Sequence, residues 1–347
     1  MGRMTAGSLF DLIHGFFMTY LPVQKCASPH TEVAYRQAIN LYLGFICEST
    51  GAALKNLDFS AFQKQHAEGF LAWMKDTKQY APATINQKMA GIREFLSYAS
   101  ARNPELVVYL RGFSDIPRQK TDTWASIDYM SENAVNAILR QPDPNTRSGL
   151  RDLFYMVMIY DTAARVDEMA KIRICDVRIG KTSTVMLQGK GSKTRTVPLM
   201  ERTVSYFRQY VILFHPHETE YSKQPLFYVE RKGTVTPMSD DNVRRFMKKY
   251  ASLARSECTE VPDSVYPHLW RHSRAMHLYQ HGMDLTLISQ WLGHANLEVT
   301  LVYAHADTEK KREAINKAME NTSLATPDAS VFMVDDDELL KKLCGLR

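Results

Sequence analysis

From about residue 8 to residue 112 apolar side chains return at three- and four-residue steps with no strand-like alternation, which confines this stretch to helices packed on one another. Phe10 to Leu21, Thr31 to Cys47, Phe59 to Met74 and Ala83 to Ala99 each carry the pattern. It lapses from Gly112 to Trp124 (GFSDIPRQKTDTW), where Gly, Pro, Ser and Asp gather without period, the composition of a linker. Beyond the break Ser131 can cap a helix through Leu139, and Gly149 to Ala164 holds the apolar run Leu153 to Tyr160, long enough for a buried helix and too short for a membrane. Thr182 to Leu187 and Thr194 to Leu199 are β-branched and flank Gly189-Lys190-Gly191-Ser192-Lys193, which predicts a hairpin with a lysine-bearing tip. A strand is expected at Pro225 to Val229. Helices are expected at Asp240 to Ala254, Pro267 to Gln280, Asp284 to Leu292 and Leu297 to His305, with Gly282 and Gly293 at helix C-termini. The fold class is therefore mostly α with a small antiparallel β-sheet. Its expected parts are a helical unit 1–112, a linker 113–128, a second unit 129–322 and a tail 323–347.

Composition narrows the function classes. At 347 residues the chain exceeds the usual size of one domain, and 45% apolar residues can fill two cores. The formal charge of +5 suits a polyanionic partner without requiring one. Five cysteines, Cys26, Cys47, Cys175, Cys258 and Cys344, form no C-x-x-C pair, which argues against a disulfide framework or a zinc knuckle and for reduced thiols in a cytosol. Asp11 and His14 interrupt the apolar stretch Leu9 to Leu21, and no basic region with a cleavage site precedes it, so neither secretion nor membrane insertion is expected.

Several residues could carry chemistry. Pro267 suits a first helical position, and His268 and Arg271, three residues apart, then project from one face. An arginine fork and an imidazole that titrates near neutrality suit an anionic oxygen. His268 and His272 have the four-residue spacing of metal ligands, but no acid lies between them and Arg271 would set a cation beside the metal, so no metal is expected. Leu292-Gly293-His294 ends one helix, and Tyr303 follows nine residues later in TLVYAH. Upstream, Arg165 stands at the edge of an apolar helix with Glu168 one turn on. The glycine-lysine turn at Lys190 has the wrong spacing and context for a Walker loop.

Taken in order, these elements resemble the tyrosine recombinase (phage integrase) family, whose pattern runs arginine, hairpin lysine, H-x-x-R, histidine or tryptophan, then tyrosine. The matching positions are Arg165 in ARVDE, Lys190 in the G-K-G turn, His268 and Arg271 in HLWRH, His294 in LGH, and Tyr303 before Ala304-His305. The likeness is strongest over about residues 150 to 306; in the N-terminal half, Thr84-Ile85-Asn86 opens a helix as in the family's core-binding domain. One departure is visible: Ala163 stands where the family usually has glycine, two residues before the first arginine.

The resemblance implies a helical core-binding domain followed by a tyrosine-recombinase catalytic domain. It implies Tyr303 as nucleophile on a DNA phosphate, Arg165, Arg271 and His294 as donors to its oxygens, Lys190 as the acid for the leaving 5′ oxygen, and His268 as proton acceptor. Glu168 is expected to orient the basic groups. No cofactor is implied. The expected partners are double-stranded recombination sites, further copies of the chain in dimers and synaptic tetramers, and accessory DNA-bending proteins, with the protein in the cytoplasm at the nucleoid. Asp335 to Leu346, with Leu339, Leu340 and Leu343 on one face, is a candidate helix exchanged between protomers, packing within its own chain being the alternative. Lys88, Arg93, Arg118, Lys120 and Lys193 are candidate DNA contacts. Two other readings stand beside this one. A type IB topoisomerase-like enzyme is opposed by the helical first unit and the tail, and a DNA-binding protein without catalysis is opposed by the intact set of six positions.

Overall fold

A computed structural model describes residues 6–121, 127–189, 193–231, 233–294, 296–306, 312, 315–316, 337–343 and 345. The chain divides into two units, 1–123 and 124–347.

The first unit is helical throughout. Helix α1 (Ala6–Gly15) runs into a wider π-turn segment, Phe16–Gln24. Ser28 then caps α2 (Pro29–Thr50) by accepting the Thr31 N–H, with Pro29 at the first position. Short turns lead into α3 (Lys64–Ala72), and α4 (Pro82–Arg102) and α5 (Val107–Ser114) complete the unit. Phe16, Tyr42, Phe62, Phe70, Phe95 and Phe113 are each 0% exposed and form one aromatic core. Each contributes roughly 2–3 kcal/mol of apolar burial, which is what lets so small a bundle stand. Gly91 sets the α2–α4 spacing, since a methyl there would sit 3.0 Å from the Tyr35 ring and 3.1 Å from the Ala38 side chain.

The expected linker is partly absorbed into this unit. Helix α5 extends to Ser114, and Phe113 and Ile116 are buried in the core. Asn86 and the Gln119 backbone exchange two hydrogen bonds of 2.9 Å. These contacts span more than thirty residues of chain, so local composition gives no sign of them.

In the second unit Ser131 caps α6 (Glu132–Leu139) and Thr146 caps α7 (Arg147–Thr162). Helix α7 is the central rod, with Phe154, Met156, Met158 and Ile159 fully buried. After α8 (Val166–Lys171) come β1 (Val177–Arg178), β2 (Thr184–Gln188) and β3 (Thr194–Pro198), an antiparallel sheet in that order. The register pairs Val185 with Val197 and Gln188 with Thr194, so Val185, Leu187 and Val197 turn one face inward. Helix α9 (Glu201–Phe214) follows, an element the sequence reading does not predict. The strand expected at Pro225 begins later. Leu226 and Phe227 are core residues, and β4 (Tyr228–Arg231) pairs with β5 (Thr234–Pro237). Helices α10 (Asp240–Ala254), α11 (Pro267–Gln280), α12 (Leu285–Leu292) and α13 (Glu298–Ala306) match their predicted positions to within a residue. A last helix spans Asp337–Leu343. Among the described residues no helix is long and apolar enough to cross a membrane.

Candidate active site

Arg271, in the first turns of α11, is 3% exposed. Its Nη1 donates to the Ala163 carbonyl and its Nη2 to the Leu292 carbonyl, both at 2.6 Å. One guanidinium thus ties the end of α7 to the end of α12. Burial and then repulsion from Arg165 lower its pKa from 12.5 to about 9, so it stays charged at neutral pH. Ala163 holds its carbonyl there by adopting a left-handed conformation, φ 49°, which costs an L-residue about 1–2 kcal/mol. The departure from glycine is therefore accommodated, Ala163 being fully buried in the apolar cluster that includes Ala275, Met276, Leu292 and Tyr303.

Glu168, 2% exposed, organises the opposite side. It accepts the Arg165 backbone N–H at 2.8 Å and the Arg165 Nη1 at 2.9 Å, closing the N-terminus of α8. Arg195 on β3 donates to both carboxylate oxygens at 2.8 Å, and its Nε donates to the Trp291 carbonyl at 2.9 Å. Burial alone would raise the carboxyl, but the donors from Arg195 and Arg165 override it and hold it at about 2. Arg195 is not among the residues the sequence singles out. Strand alternation could have found it: Arg195 shares a face with buried Val197, and a cation on a buried face needs a carboxylate.

The hairpin neck closes beside this carboxylate. Gly189 N–H donates to the Lys193 carbonyl at 2.7 Å, and a methyl on Gly189 would lie 3.3 Å from Glu168 Oε1. Lys190, with the rest of the hairpin tip, lies outside the described residues, and Lys193 is exposed.

Gly293 ends α12 with φ 63°, and a Cβ there would sit 2.9 Å from Arg195 Cδ, so both conformation and space exclude a side chain. This delivers His294, whose Nδ1 lies 2.8 Å from the Thr300 hydroxyl of α13. Burial, then Arg271, Arg165 and Arg195, lower the His294 ring to about 4. It is neutral at pH 7, and a Thr300 hydroxyl donating to Nδ1 leaves the proton on Nε2, available to an anion.

Tyr303, one turn beyond Thr300, is 1% exposed. Its hydroxyl lies 3.0 Å from Nδ1 of His272, not of His268. Burial raises the phenol to about 12 against the pull of Arg271 and Arg165. Burial, then His268 and Arg271, lower His272 to about 4. His268 faces solvent one turn earlier on α11, its own pKa lowered by desolvation and by Arg271 and Arg165. The ring in hydrogen-bond contact with the hydroxyl is therefore that of His272, a residue outside the family's set of six. The four-residue spacing of His268 and His272 sets their rings edge to face, 5.8 Å between centroids.

Of the candidate DNA contacts, Arg118 and Lys120 are exposed and Lys88 is half-buried with its Nζ 3.4 Å from Gln37. Arg93 is occupied otherwise, donating to the Phe113 carbonyl at 2.9 Å and the Ile116 carbonyl at 2.8 Å. A denser basic face lies on α10, where Arg244, Arg245, Lys248 and Lys249 are all exposed opposite buried Val243, Phe246, Met247 and Tyr250. Its signal is legible as basic pairs four residues apart on an amphipathic helix. Arg244 is close enough to contribute to the lowered pKa of His268.

The second unit therefore gathers Arg165, Arg195 and Arg271 around one carboxylate and a buried phenol, an excess of fixed positive charge built to receive an anion. The phage integrase family pattern matches residues 128–310, and the phage integrase N-terminal SAM-like domain matches residues 16–103. The chain belongs to the phage integrase family. It is a DNA-cleaving and rejoining enzyme of the tyrosine recombinase type, acting in site-specific recombination. Among relatives of this integrase, tyrosine recombinase XerC of Chlamydia caviae is 28% identical over 315 residues, covering 86% of this chain and 95% of its own. Tyrosine recombinase XerD of Lacticaseibacillus casei is 24% identical over 307 residues, covering 87% and 95%. Two solved structures share the fold. One is XerH recombinase bound to difH in a post-cleavage complex, with a TM-score of 0.64, 20% identity and coverage of 84% and 81%. The other is Tn1549 transposon integrase with transposon right-end DNA, with a TM-score of 0.62, 16% identity and coverage of 90% and 99%.

Proposed function

We propose that this integrase cleaves double-stranded recombination sites by attack of the Tyr303 hydroxyl on a backbone phosphate, forming a 3′-phosphotyrosyl link. Arg165 and Arg195 on one carboxylate, with Arg271 buried beside them and the buried tyrosine, carry this reading. In the transition state negative charge grows on the two non-bridging oxygens and on the leaving 5′ oxygen. Arg165, Arg271 and His294 donate to the former. Lys190, on the hairpin whose neck abuts Glu168, protonates the latter. The proton lost by Tyr303 must reach an acceptor at the solvent edge of the site, the position of His268. The covalent link conserves the phosphodiester energy, so a 5′ hydroxyl from another strand can reseal it without nucleotide or metal.

The exposed basic face of α10, with Lys88, Arg118, Lys120 and Lys193, grips DNA phosphates along the site. Strand exchange between two sites needs paired copies, so dimers on each site and a synaptic tetramer follow, with the Asp337–Leu343 helix as the segment exchanged. The DNA-bound recombinases of like fold support the DNA partner. The reaction serves integration, excision or transposition of a mobile element at the nucleoid in the cytoplasm, with accessory DNA-bending proteins setting direction.

A nicked suicide substrate carrying the site tests the polarity. The expected product is protein on the 3′ phosphate and a free 5′ hydroxyl that polynucleotide kinase can label; protein joined to a 5′ phosphate would overturn the proposal.

A further inference from the structure

The hydrogen bond on the nucleophile comes from a residue outside the set of six. His272 stands one turn beyond His268 on α11, its ring centroid 6.0 Å from that of Tyr303 and its Nδ1 3.0 Å from the hydroxyl. Thr300 and Tyr303 are the buried residues among those described in α13, and each adds a polar contact to the apolar packing of the helix, Thr300 to His294 and Tyr303 to His272. A hydroxyl with one rotatable hydrogen has lone pairs that point wherever that hydrogen does not. Fixing the hydrogen fixes the nucleophilic face.

We infer that His272 is a positioning residue for Tyr303: its neutral ring, protonated on Nε2, accepts the hydroxyl hydrogen at Nδ1 and so turns the oxygen lone pairs toward the phosphate held by Arg165 and Arg271. This rests on the reading of Tyr303 as nucleophile. His272 is not itself the base in the free protein. Burial raises the phenol and lowers the ring, so both groups are held in their neutral forms and transfer of the proton between them is disfavoured. Orientation is what the contact supplies. It removes rotational freedom of the reacting group before DNA arrives, the kind of preorganisation that a misplacement of about 1 Å can undo by 10²-fold.

The test compares His272→Phe, which keeps a ring of similar shape without the acceptor, with His272→Asn, whose carboxamide places a polar atom where Nδ1 stands. Single-turnover cleavage of nicked DNA, DNA affinity and thermal unfolding are measured for each. The expected result for His272→Phe is cleavage slowed by about 10- to 100-fold with affinity within threefold of wild type. His272→Asn is expected to recover most of the rate. A solution readout comes from ¹⁵N spectra of the full chain, in which the His272 Nδ1 resonance is expected to move in Tyr303→Phe. Wild-type cleavage by a folded His272→Phe, an asparagine variant no faster than the phenylalanine one, or an unmoved Nδ1 resonance would each overturn the assignment. If the wild-type protein forms no adduct at all, the failure belongs to the nucleophile reading; if it does and His272→Phe matches it, only the positioning role falls.

Discussion

Arg271→Ala is expected to lose both fold stability and catalysis, the former by about 3 kcal/mol and the latter by 10²- to 10³-fold in single-turnover cleavage. The stability term follows from two charged hydrogen bonds at 2.6 Å, each of which holds a buried carbonyl that the truncation leaves unsatisfied. The catalytic term follows from loss of a preorganised donor at the phosphate. These two effects separate in Arg271→Lys. Its ammonium keeps the charge but cannot bridge the Ala163 and Leu292 carbonyls as a planar fork does. Urea unfolding and suicide-substrate cleavage measure the pair. An alanine variant within about 1 kcal/mol of wild type and cleaving within tenfold would contradict the geometry described for this residue.

Glu168→Ala should be the most destabilising change on the other side of the site. Glu168 is buried and neutralises Arg195, whose side chain is 13% exposed, so its removal strands a largely buried cation at a cost of about 3–5 kcal/mol. It also frees Arg165 from its only described carboxylate and unties β3, and with it the hairpin, from α8. The pH dependence has a definite sign. The folded-state pKa of Glu168, about 2, lies below the usual 4.5, so the unfolded chain binds the proton first on acidification. The resulting stability, roughly 3 kcal/mol, is present above about pH 4.5 and is lost as pH falls toward 2. Glu168→Gln should flatten that part of the curve. His272 and His294 act earlier and with the same sign: held near 4 instead of 6.5, they withdraw stability as pH falls from 6.5 toward 4. Chemical denaturation across pH 2.5 to 7 distinguishes the two windows, and a Glu168→Gln curve that parallels wild type below pH 4.5 would refute the role given to the carboxylate.

What the sequence shows and hides follows from locality. Helices α10 and α11 are legible because their start signals, Ser239 and Pro267, adjoin a clear apolar period. Helix α9 is not, since Met200 offers no capping side chain and Thr203, Val204, Val211 and Ile212 favour strands as readily. In the site, Arg165, Arg271, His294 and Tyr303 are brought together as their order along the chain suggests. Arg195 is hidden because its partner is 27 residues away, and Arg93 because the carbonyls it holds are at least 20 residues away. His272 is visible only as a spacing from His268, and nothing in that spacing points to a tyrosine 31 residues on.

The central claim is that Tyr303 becomes covalently joined to DNA. Trapping the protein on a nicked site, digesting it with nuclease and trypsin, and sequencing the nucleotide-bearing peptide by mass spectrometry addresses it directly. The modified residue is predicted to be Tyr303, with no adduct formed by Tyr303→Phe. A nucleotide on any other side chain, or an adduct that persists in Tyr303→Phe, would contradict it.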